Sequence, residues 1–78
     1  MPRVHSVEFR VRDGAIHCTG CEVRIETVLR KVPGVLRVKA DHRTQKVSLT
    51  LDAERVSEEE IRRRLAEMGY EADTAGPA

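Results

Sequence analysis

Two kinds of apolar spacing alternate along this chain, and their order leaves few folds open. Val7, Phe9 and Val11 interleave with Ser6, Glu8, Arg10 and Arg12, the period-2 pattern of a strand with one buried face. After an Asp13-Gly14 turn and a loop from Ala15 to Gly20, helical spacing takes over from Cys21 onward. Ile25, Val28, Leu29 and Val32 share one face, and Glu22, Arg24, Glu26, Arg30 and Lys31 take the other. Pro33-Gly34 stops that helix. Val35, Val38 and Ala40 are the inward positions of a second strand, with an irregular start at Val35-Leu36. The polar stretch from Asp41 to Lys46 leads into a third strand on Val47, Leu49 and Leu51, forming a hairpin. Ser57 and Glu60 form an S-x-x-E capping box ahead of Ile61, Leu65 and Met68, with Gly69 as the stop, and Tyr70 to Asp73 supplies a short edge strand.

The order βαββαβ predicts an α+β, ferredoxin-like fold: a four-stranded antiparallel sheet with two helices on one face. Right-handed crossovers then put the first and third strands side by side at the centre. Residues 5–73 form the domain, residues 1–4 an N-terminal tail, and residues 74–78 a C-terminal tail or linker. A chain of 78 residues buries only about 60% of its unfolded surface, which disfavours a large enclosed active site. The 14 basic and 13 acidic residues leave a net charge of +1, with no bias toward nucleic acid or an anionic membrane. No apolar run approaches the roughly 18 residues of a transmembrane span, and Met1-Pro2-Arg3-Val4-His5 lacks the apolar run of a secretory signal, so a cytoplasmic protein is expected.

Against this background the two cysteines stand out. Cys18 and Cys21 are the only ones, and a disulfide between them closes a loop too short to staple the fold. In Cys18-Thr19-Gly20-Cys21 the first sulfur belongs to a loop and the second to the opening turn of a helix, with Gly20 allowing a tight turn, so both can converge on one ion. Helix N-termini favour thiolate over thiol. Two thiolates suit a soft ion, Cu(I) above all, with Zn(II), Cd(II), Hg(II) or another thiophilic metal as competitors; zinc ordinarily wants four ligands. Low coordination leaves room for an incoming thiolate, so such an ion can be passed on. Of the three imidazoles, His17 is expected to be a solvent-facing spacer, and His5 and His42 surface residues, with His42 remote from the cysteines. Arg62-Arg63-Arg64 is expected to be a solvated face.

The stretch Ile16-His17-Cys18-Thr19-Gly20-Cys21, together with Pro33-Gly34-Val35, Val47-Ser48-Leu49 and Met68-Gly69-Tyr70, resembles the heavy-metal-associated domain over roughly Val7 to Asp73. That family includes copper chaperones and the cytosolic amino-terminal modules of metal-transporting P-type ATPases. The resemblance implies a non-enzymatic domain whose metal is held by Cys18 and Cys21. It also implies handover to a metal-transporting ATPase or a like-folded domain, as a monomer or a metal-bridged dimer. It places Tyr70 beside the metal, where the alternative is a core ring. Two departures stand out. Ile16 replaces the usual methionine, with a core role conserved, and Val11 to Cys18 is two residues longer than usual, so Arg12-Asp13-Gly14-Ala15 forms a bulge or a longer metal loop. Competing readings are a thiol-disulfide oxidoreductase, which lacks a Trp-Cys opening or Pro between the cysteines, and a nucleic-acid-binding sheet. The latter has only Phe9 and Tyr70 as aromatics.

Overall fold

In a computed structural model describing residues 3–17 and 19–76, strand β1 (Val4–Val11) is followed by a single 3-10 turn (Arg12–Gly14) and helix α1 (Thr19–Arg30). Strands β2 (Val35–Asp41) and β3 (Lys46–Asp52), helix α2 (Glu58–Glu67) and strand β4 (Ala72–Gly76) complete the chain. The sheet order is β2-β3-β1-β4, so the first and third strands are central as expected, and all three pairings are antiparallel. Val7 faces Leu49 and Phe9 faces Val47 across β1 and β3, which aligns the two apolar faces. Both helices lie on that face, giving the ferredoxin-like α+β arrangement.

Phe9, Ile25, Leu29, Ile61 and Leu65 are all fully buried, and each such side chain contributes roughly 2 kcal/mol by leaving water. The 3.6-residue spacing of Ile25 with Leu29 and of Ile61 with Leu65 is thus the face each helix turns to the sheet. The Ser57 hydroxyl accepts the Glu60 N–H at 3.2 Å and caps α2. Gly34 turns the chain from α1 into β2 at φ +97°, and a Cβ there would lie 2.8 Å from Arg55 Cβ and 2.9 Å from Val56 Cγ1. Only glycine suits both the conformation and the space.

Three local expectations change and one, the start of β2, holds. The edge strand runs over Ala72–Gly76 instead of Tyr70–Asp73, so Thr74 and Ala75 join the sheet; the ladder to β1, bulged between Glu8 and Phe9, supplies pairing that their turn-like composition does not signal. Gly20 lies within the first turn of α1, not in a loop. Val35 is half-buried, and the β2–β3 register shifts between Val35 and Arg37, which is the irregular start the sequence suggests. Finally, Glu22 and Glu26 do not lie on a free solvent face. Glu26 Oε2 accepts the Ala40 N–H at 3.0 Å and Glu22 Oε2 accepts the His42 N–H at 2.7 Å. Residues i and i+4 of a helix rise about 6 Å and residues i and i+2 of a strand about 6.6 Å, so two carboxylates one helical turn apart match the alternate N–H groups of Ala40 on the outer edge of β2 and of His42 just past its end.

Candidate metal centre

Three segments meet around the start of α1. Cys21 is the third residue of the helix and is half-buried against the core. Its thiol sits in the first turn, where the positive end of the helix dipole favours a thiolate. Cys18, the other expected ligand, lies outside the described residues. Thr19 and Gly20 between them are exposed. Val23, two residues after Cys21, is 59% exposed, so an apolar side chain stands in solvent beside the motif.

The entry to the motif is built from Arg12 to His17. The extra residues there fold into the 3-10 turn, with Asp13 at φ 61° and Gly14 at φ 60°, instead of lengthening the loop loosely. Arg12 holds that turn to the end of the sheet. Its Nε and NH2 groups donate to the two carboxylate oxygens of Asp73 at 2.7 and 2.6 Å, and its backbone N–H donates to Glu71 C=O at 2.8 Å. The guanidinium bonds and charge hold the Asp73 carboxyl below the usual aspartate range, and the same pairing raises Arg12. Ile16 is 1% exposed, so it has the core role expected of the residue two places before Cys18. His17 is exposed, as expected.

The third segment is the β2–β3 turn, and its role is not visible in the sequence. Gln45 sits in the left-handed region at φ 60°. Its Oε1 accepts the Ile16 N–H at 3.0 Å, and its Nε2 donates to Ile16 C=O at 2.7 Å and to His42 C=O at 2.5 Å. The Gln45 carbonyl also accepts the Val11 N–H at 2.7 Å. His42 is not remote from the motif: besides its backbone bond, its Nδ1–H donates to Glu22 Oε2 at 2.6 Å, and Glu22 adjoins Cys21. An ionised carboxylate only accepts, so the Nδ1 position carries the proton. The backbone N–H of His42 first, and its ring second, lower the Glu22 carboxyl from its ordinary range. Asp41 is lowered too, chiefly by the Arg43 N–H it accepts at 2.8 Å. Glu22, Asp41 and His42 bring one ligand atom each within 4.8 Å of one another.

Among the remaining expected residues, His5 and the three arginines fall elsewhere, and Tyr70 is a core ring. His5 is exposed and bonds Glu58 at 3.0 Å. Arg62, Arg63 and Arg64 are exposed, with Arg62 paired to Glu59 one turn back, which is the solvated face expected. Tyr70 is 6% exposed and belongs to the core cluster, its N–H donating to Leu65 C=O at 2.8 Å. No helix of the described residues is long and apolar enough to cross a membrane.

The same frame recurs among known proteins. Over 57 residues, 73% of this chain, the sequence is 35% identical to a zinc-transporting ATPase of Synechocystis, but the match spans only 8% of that protein's length. It is 32% identical to the copper chaperone CopZ of Enterococcus hirae over 66 residues, 85% of this chain and 93% of the chaperone. Among solved structures, oxidized MerP from Ralstonia metallidurans superposes with a TM-score of 0.84 at 22% identity, covering 94% of this chain and 99% of MerP. The Cu(I)-loaded N-terminal domain of a potential copper-translocating P-type ATPase from Bacillus subtilis gives 0.86 at 21% identity, covering 97% and 92%. At those identities the structural likeness speaks for the fold alone. The model of the heavy-metal-associated domain matches residues 8–71, which take in both helices, β2, β3 and the second half of β1, and the chain belongs to that family.

Proposed function

We propose that this domain is a non-enzymatic carrier that holds one soft metal ion, Cu(I) before others, between the thiolates of Cys18 and Cys21. It releases the ion to a partner by ligand exchange. The observation that carries the reading is the place of Cys21: it stands half-buried in the first turn of α1, on a heavy-metal-associated domain frame, with exposed residues on its N-terminal side. A thiolate there is favoured by the helix end and open to an approaching partner sulfur. Two soft donors suit a low-coordinate Cu(I), and an open shell lets a third thiolate add before an original bond breaks. The partner is a metal-transporting P-type ATPase or a like-folded domain, met in the cytoplasm, with the chain acting as a chaperone or as the metal-binding module of such a pump. The likeness to CopZ over 93% of its length supports the chaperone arrangement.

A specific observation also favours zinc as a competing cargo: the 35% identical relative is a zinc-transporting ATPase. Titration of the reduced protein with Cu(I) and with Zn(II), each against a competing chelator, separates the two. The proposal expects one tight Cu(I) equivalent, lost when Cys18 and Cys21 are both changed to Ser, and weaker Zn(II). Tighter Zn(II) than Cu(I), relative to each chelator, reverses the assignment. Retention of Cu(I) by the double variant overturns the thiolate site.

A further inference from the structure

The β2–β3 turn grips the motif from both sides. Gln45 pairs both backbone polar groups of Ile16, two residues before Cys18, while His42 bonds Glu22, one residue after Cys21. The Gln45 amide also donates to the His42 carbonyl, so the two grips belong to one cross-braced turn. A primary amide that accepts from the N–H and donates to the C=O of a single residue reproduces the pairing of a neighbouring strand where no strand exists. Ile16 is itself locked in the core, 1% exposed. Two residues of chain reach about 7 Å at most, so fixing the Ile16 peptide bounds the entry to the C-x-x-C segment. The other end is borne by α1.

We propose that Gln45 is the positioning residue of the metal loop. By clasping Ile16 from the turn that also holds Glu22, it fixes the entry to Cys18 relative to the helix that carries Cys21, and so sets how tightly the pair retains its ion. This rests on the thiolate-carrier reading above. A turn glutamine with a purely structural role is the competing account, and the backbone separates the two. Gln45 occupies φ 60°, a conformation that glycine adopts without strain and asparagine tolerates. Gln45→Gly therefore removes the clasp while easing the turn. Gln45→Asn keeps a polar amide in a comfortable turn but is one methylene too short to reach both groups of Ile16. The bond from the Val11 N–H to the residue 45 carbonyl survives in both.

The test measures two quantities on wild type, Gln45→Gly and Gln45→Asn: exchange of the Ile16 amide in the reduced, metal-free proteins, and Cu(I) affinity against a competing chelator. The loss of one to two net hydrogen bonds predicts Ile16 exchange about tenfold faster in both variants. The amide of Leu49, which reports global opening, should speed up less than that of Ile16, and Cu(I) should be held several-fold more weakly by variants that remain fully folded at the assay temperature. Unchanged Ile16 exchange overturns the clasp. Faster exchange with undiminished Cu(I) affinity overturns its bearing on the metal. If the wild-type chain itself fails to hold Cu(I), the carrier reading falls and this role with it, an outcome told apart by the wild-type measurement alone.

Discussion

At the scale of single residues, Ile16 and Gly34 show how packing and backbone freedom constrain the chain differently. Ile16 fills a core position at 1% exposure, and methionine has nearly its volume. Ile16→Met should therefore cost less than about 1.5 kcal/mol, whereas Ile16→Ala, which leaves a cavity, should cost roughly 2–5 kcal/mol in chemical denaturation. Gly34 tolerates no side chain, because its φ of +97° is strained for other residues and Arg55 and Val56 occupy the space. Gly34→Ala should lose on the order of 2–3 kcal/mol, lowering the melting temperature by roughly 10–20 °C. Both roles were partly legible: Pro33-Gly34 marks a helix stop, and Ile16 stands where a core residue is expected. Gln45 was not, because a polar residue in a polar turn carries no periodic signal, and its partner Ile16 is 29 positions away.

The secondary-structure elements were legible where burial writes a period into the chain. Val7, Phe9 and Val11, or Ile25 with Leu29, announce both their element and its buried face. The fourth strand was displaced because Thr74-Ala75-Gly76 has the composition of a tail, and only its ladder with β1 makes it a strand. Glu22 and Glu26 misled for a related reason: acids one turn apart look like a solvent face until the edge of β2 lies beside them. Their bonds to the His42 and Ala40 N–H groups cover that edge, which otherwise offers unpaired donors to another chain. Glu26→Ala should cost about 1 kcal/mol and speed exchange of the Ala40 amide, while Glu26→Gln, which keeps an acceptor oxygen, should change exchange far less.

Over the whole molecule, the candidate metal centre is one end of the sheet drawn together by turns distant in sequence. Arg12 and Asp73 tie the turn after β1 to β4, and Gln45 and His42 tie it and α1 to the β2–β3 turn. The first of these ties is pH-dependent. The Asp73 carboxyl titrates below its unfolded value, so the unfolded chain binds the proton first. The stabilisation is present above the ordinary aspartate range and is lost as the pH falls through the lowered folded value. Asp73→Asn should therefore melt below wild type at pH 7, with the difference closing in acid; a constant difference across that range contradicts the pairing.

The C-x-x-C spacing singles out the two cysteines as candidate ligands, but which ion such a pair prefers depends on donor number, which no spacing states. X-ray absorption of the reduced protein loaded with one equivalent of Cu(I) reads that number directly. The carrier account predicts a low-coordinate shell of sulfur alone that collapses on changing either Cys18 or Cys21 to Ser. A shell containing nitrogen or oxygen donors, or one that survives the loss of either cysteine, would contradict it.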